Sequence, residues 1–76
     1  MQNKNPMNHI MTTEELGQMI RAKRKRIKMT QADFAGACGV GVRFVSELEN
    51  GKPTLEFNKV LKVAMGMGID IFARER

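Results

Sequence analysis

The chain has 76 residues, enough for one compact domain that buries only about 60% of the surface its unfolded chain exposes. Its single cysteine, Cys38, excludes an internal disulfide, and Cys38 with the lone His9 makes a poor zinc site, so association with another subunit is the stabilising device left. Thirteen Lys and Arg against eight Asp and Glu give a net charge of +5, and about half of the basic residues lie between Arg21 and Lys28. Such clustering points to a polyanionic partner through counterion release, although basic residues are also favoured at helix C-termini by the helix dipole, so the motif has to decide. No run approaches the ~18 consecutive apolar residues of a membrane span, and residues 1–6 lack the apolar core of a signal peptide. A cytoplasmic protein without a membrane partner is expected.

Residues 1–11, with three Asn, one Pro and three Met, show no helical stripe and are expected to form a flexible tail. Thr12 and Glu15 form the pattern of a capping box, which predicts a helix from there to about Lys28 with Leu16, Ile20 and Ile27 on its apolar face. The basic run at its end covers more than two helical turns and cannot all face one partner, and Arg24 and Lys25 read as solvated charge. Thr30 opens a second helix, with Asp33 in the reciprocal capping position and Phe34, Ala35 and Cys38 inward; Gly39 stops it. After the turn Val40-Gly41, a third helix is predicted from Val42 to Asn50, with Val45 and Leu48 inward and Asn50-Gly51 as its stop. Pro53 excludes helix at Lys52, and Thr54 is expected to cap a fourth helix whose Leu55, Phe57, Val60, Leu61, Ala64 and Met67 follow helical spacing. Gly66 and Gly68 end it. The remaining Ile69-Asp70-Ile71-Phe72-Ala73-Arg74 is short and β-prone. A lone strand leaves its backbone unpaired, so it is expected to pair with the same strand of a second copy through Ile69, Ile71 and Phe72. The division expected is a tail over residues 1–11, a helix-turn-helix domain over 12–68 and a dimerisation strand over 69–76.

Enzymatic chemistry finds no support. There is no Ser-His-Asp set, no phosphate-binding glycine loop with Lys and Ser or Thr, and no paired-Cys ligand pattern. No catalytic residue, metal ligand or cofactor is assigned. The Met residues read as adaptable packing, and Cys38 as a buried small hydrophobe.

Thr30-Gln31 opening the first motif helix, Ala35 at the helix contact, Gly39 in the turn, Val45 and Leu48 inward and then Glu49-Asn50-Gly51 together resemble the Xre/Cro family, the lambda-repressor-like helix-turn-helix. Within it, Lys52-Pro53-Thr54-Leu55-Glu56-Phe57 and the terminal strand resemble HipB-type antitoxins, over roughly residues 12–74. The resemblance implies a mainly α, four- to five-helix DNA-binding domain with a short C-terminal strand pairing across a dimer. It also implies a prokaryotic autorepressor that binds inverted-repeat operator DNA and a HipA-like kinase toxin. By that resemblance Gln31 bonds a DNA phosphate, and Gly41, Val42, Arg43, Ser46 and Glu47 face base edges. Arg43 can take both acceptors of a guanine, Val42 can meet a thymine methyl, and Ser46 can bond base or phosphate. Glu47 can accept from cytosine or orient Arg43 from the next turn. Arg26, Lys28, Asn50 and Lys52 are further phosphate candidates, Asn50 also serving as a cap. Neither Val42 nor Arg43 is the Gln frequent in the family, and Phe44 replaces a small polar residue. The competing reading is a protein-interaction module that neutralises a toxin without specific DNA binding.

Overall fold

The structure is a computed structural model that describes residues 9–76; residues 1–8 of the expected tail lie outside the described part. Four helices follow in chain order: α1 (Thr13–Arg26), α2 (Gln31–Cys38), α3 (Val42–Glu49) and α4 (Phe57–Gly66). α3 packs against α1 and α2, and α4 packs on α2. Leu16, Ile20, Phe34, Val45, Leu48, Val63, Ala64 and Met67 fill the space between them. Among the described residues no helix is long and apolar enough to cross a membrane.

The helix starts follow from their caps. Thr12 Oγ1 accepts from the Glu15 amide at 3.1 Å, and Glu15 Oε1 accepts from the Thr12 amide at 3.1 Å, completing the box expected at α1. At α2, Thr30 Oγ1 accepts from the Asp33 amide at 3.0 Å. Asp33 returns no bond, since its side chain is one methylene shorter than that of Glu. Thr54 does not cap α4. That helix begins three residues later, with Glu56 as N-cap, because Leu55 is drawn onto the core from the loop.

All four helices end in one way. The amides of Met29, Val40, Lys52 and Ile69 donate to the carbonyls of Arg24, Ala35, Glu47 and Ala64, at 2.9–3.1 Å, across a residue with positive φ. These are Schellman closures, which satisfy carbonyls the helix itself leaves open. The left-handed position is Gly39, Gly51 or Gly68 in three of them, and Lys28, at φ 62°, in the first. The closure at Lys28 ends α1 at Arg26, two residues sooner than expected, and leaves Ile27 half exposed instead of on the apolar face.

One other expectation about packing is corrected. Phe57, at the first turn of α4, extends past its neighbours and is 64% exposed, whereas Val63, three residues after Val60, is fully buried. Cys38 is buried as expected, and burial pushes its thiol up despite the nearby positive charge of Lys62. After α4, residues 69–76 form neither helix nor strand within the chain, so the expected terminal strand is not formed here. Ile69 packs onto the core, while Ile71 and Phe72 are exposed.

α1 and α3 approach closely at Gly17. A Cβ there would overlap the Leu48 carbonyl oxygen and lie 3.1 Å from Glu49 Cα, and neither backbone atom can rotate away. Gly17→Ala should therefore cost about 1–3 kcal/mol through overpacking. Thermal unfolding should show a midpoint lower by several degrees, about 4–8 °C per kcal/mol for a domain of this size. An unchanged midpoint would mean that the two helices separate without cost.

Candidate nucleic-acid interface

Arg24 falls four residues after Ile20 and eight after Leu16, on the buried stripe of α1, where its charge requires a partner. Glu49, four residues after Val45 on α3, supplies it. Arg24 Nε donates to Glu49 Oε2 at 2.6 Å and Arg24 Nη2 to Oε1 at 2.9 Å, a two-point contact between planar groups. The side chains are 9% and 2% exposed. The sequence reading of Arg24 as solvated charge is thus overturned: its place on the Leu16–Ile20 stripe was the available signal. The remaining Arg24 nitrogen, Nη1, donates to the Met29 carbonyl at 2.8 Å and fixes the α1–α2 turn.

The same carboxylate reaches a third element. Gln31 Nε2, at the first residue of α2, donates to Glu49 Oε1 at 3.0 Å. An amide nitrogen carries two hydrogens, so Gln31 is held in place and keeps one donor for an outside acceptor. Beside it are the α2 amides that have no partner within the helix, a suitable setting for an anionic oxygen. Burial pushes the Glu49 carboxyl up, but the hydrogen bonds from Arg24 and Gln31 and the charges of Arg24 and Arg21 outweigh it and hold the group below the ordinary carboxylate range. No buried side-chain nitrogen or oxygen among the described residues lacks a partner.

With Val45, Leu48 and Glu49 turned inward, α3 presents its other side. Gly41 is the N-cap and has no side chain to shield the first turn. Val42 is half exposed, Arg43 extends into solvent with its side chain 88% exposed, and Ser46 and Glu47 are half-buried beside them. Arg43 Nε donates to Glu47 Oε2 at 3.1 Å, and Lys52 Nζ, from beyond the helix end, donates to the same oxygen at 3.4 Å. The hydrogen bond from Arg43 is the main cause that holds Glu47 below its ordinary value, against the opposing effect of burial and with further help from Lys52. Phe44 packs against the core, with Lys59 Nζ 5.9 Å from its ring centre.

The candidates therefore fall into groups. Arg43, Glu47 and Lys52 form one ion-paired cluster, and Gln31 is tied to α1 and α3 through Glu49. Asn50, the C-cap of α3, is exposed between Glu49 and Lys52. Arg26 and Lys28 are exposed at the end of α1, and no ion pair among the described residues joins them to the cluster. Arg24 and Glu49 are the positioning residues that the sequence reading missed.

The helix-turn-helix family model matches residues 20–72. An uncharacterised HTH-type transcriptional regulator of Sinorhizobium fredii is 44% identical over 66 residues, which cover 84% of this chain and 87% of the relative. Among solved structures, a chain of a HipA-HipB-O2-O3 complex superposes with a TM-score of 0.80 at 16% identity, covering 91% of this chain and 97% of that one. The clp gene regulator ClgR of C. glutamicum gives a TM-score of 0.68 at 25% identity, covering 84% and 82%. The fold is accordingly the four-helix, lambda-repressor-like arrangement that the sequence resemblance implied.

Glu49→Gln should leave the Arg24 guanidinium buried without its counter-charge and destabilise the domain by about 3–5 kcal/mol. The pH response has a definite sign. The folded Glu49 carboxyl is depressed, so its contribution is complete above the ordinary glutamate value of 4.5 and is lost as pH falls through the lower folded value. Denaturant unfolding of the original chain should weaken across that acidic range, and the Glu49→Gln variant should respond less steeply. Equal slopes for both would exclude the pair as a source of acid sensitivity.

Proposed function

The chain belongs to the helix-turn-helix family, and from that premise we propose that it is a sequence-specific DNA-binding repressor that lays α3 in the major groove of duplex DNA. The observation that carries this reading is the face of α3 turned away from the core, with Arg43 at its first turn and Gln31 held beside it by Glu49. Gln31, Asn50, Lys52, Arg26 and Lys28 take phosphates, which fixes register. Gly41, Val42, Arg43, Ser46 and Glu47 approach base edges, which fixes sequence.

A dimer accompanies this function. Ile71 and Phe72, 42% and 74% exposed, border a groove of about 380 Å³ lined also by Ile10, Leu16, Phe57 and Leu61. Met11 and Phe57, each 64% exposed, extend the apolar surface. The terminal residues Ile69, Ile71 and Phe72 pair with those of a second copy and cover it. The operator is then an inverted repeat with half-sites about one or two helical turns apart. Control of its own operon as a HipB-like antitoxin, with a HipA-like kinase as protein partner, rests on the resemblance of residues 52–57 and of the terminal segment. The same apolar surface favours the second reading, in which toxin binding is the main task and specific DNA binding is dispensable.

Binding to its own promoter region and to an unrelated duplex, across a salt series with mass measured in parallel, separates the two readings. Arg43→Ala should remove about 1–3 kcal/mol of discrimination at one base pair and leave toxin binding unchanged. Lys52→Ala should weaken binding to every duplex and shallow the salt dependence by about one phosphate contact. Phe72→Asp should lower the mass from two subunits to one. Equal, salt-labile binding to both duplexes would put the toxin-binding reading first.

A further inference from the structure

Glu47 stands where a carboxylate is costly. It shares the exposed face of α3 with Val42, Arg43 and Ser46, and a groove lined by phosphates repels it. Exposed ion pairs add little to stability, so the pairing of Glu47 with Arg43 and Lys52 does not explain its position through folding.

The geometry of the cluster does. Both cations meet one oxygen, Oε2, and Arg43 is engaged through Nε alone. The Nη1 and Nη2 groups at the end of the fork remain available, and that pair of parallel donors matches the O6 and N7 acceptors of guanine. Contact with a base through the fork end leaves the Nε bond to Glu47 intact. Contact of the Arg43 Nε with a phosphate instead breaks its bond to Oε2, because Nε carries a single hydrogen, and leaves the carboxylate in a negative field with the longer Lys52 contact; Lys52, with three hydrogens, can meet a phosphate and Oε2 together.

We propose that Glu47 is a specificity-determining positioning residue: it holds Arg43 by Nε so that the fork end faces guanine, and it penalises phosphate contact by the Arg43 Nε. Its role is to weaken binding to wrong sequences more than binding to the right one. This inference rests on the DNA-binding reading above.

The test is Glu47→Gln, which keeps the size and an acceptor oxygen but removes the charge. Two probes are used over a salt series: a duplex selected by the original protein from a random-sequence pool, and an unrelated duplex. For the variant, binding to the unrelated duplex should tighten several-fold, and its log-affinity against log-salt slope should steepen by about one charge. Binding to the selected duplex should change less, so the ratio of the two affinities falls. An unchanged ratio, or a loss confined to one base pair of the selected site with the unrelated duplex unaffected, overturns the proposal and leaves the DNA reading in place. If the original protein selects no duplex from the pool, both fail together. Circular dichroism of the variant establishes that the helices are retained, because a loss of fold would weaken both probes, the reverse of the expected direction.

Discussion

The buried contact between Arg24 and Glu49 sets the geometry on which the rest of the molecule depends. α3 has only eight residues, and the hydrophobic side chains that seat it, Val45 and Leu48, specify a face but tolerate some rotation. Successive residues of a helix are about 100° apart, so even a partial turn of α3 would exchange which side chains look outward. A planar guanidinium meeting a planar carboxylate at two points has far less angular freedom than packed aliphatics. The pair therefore fixes the roll of α3 about its axis. Because Glu49 also holds Gln31 and Arg24 also holds the Met29 carbonyl, the end of α1, the start of α2 and the end of α3 are fixed by one group of contacts.

This arrangement is not an economical way to gain stability. Replacing a buried ion pair by well-packed apolar residues is often neutral or favourable, whereas removing one partner is harmful. What the ion pair supplies in its place is direction. Gly17 gives the complementary constraint: by admitting the Leu48 carbonyl against the α1 backbone it sets the distance between the helices, while Arg24 and Glu49 set their relative rotation.

The sequence carried the local features well, because they depend on neighbours a few residues apart. The Thr12–Glu15 box, the Thr30 cap, the stop at Gly39 and the inward placement of Val45 and Leu48 were all legible. Features that depend on distant contacts were not. Arg24 looked like one more cation in a basic run, and only the approach of Glu49, 25 residues away, makes its burial possible. Lys28 adopts a conformation usually left to glycine because the turn to α2 is held from both sides of Met29, which its own side chain does not reveal. The start of α4 was misplaced because Leu55 contributes to the core from a loop. Residues 69–76 form no strand, because no neighbouring strand within the chain offers their backbone a partner. Of the candidate site, the inward residues of α3 and the pairing of Glu47 with Arg43 four positions earlier were legible from spacing, whereas the bond that holds Gln31 through Glu49 was not.

The basic run on α1 consequently has two uses that its composition does not separate. Arg24 is withdrawn into the interior and consumed by Glu49, whereas Arg21, Lys25, Arg26 and Lys28 remain exposed on the same helix or just beyond it. Arg21 is close enough to contribute to the field at Glu49, so the exposed charge borders the positions where Gln31 and the α2 amides offer donors. In the proposed function, a polyanion drawn to the run by long-range attraction arrives beside donors already fixed in direction. On that proposal attraction and orientation come from different residues, because the exposed Arg26 and Lys28 take no part in the bonds that hold Gln31.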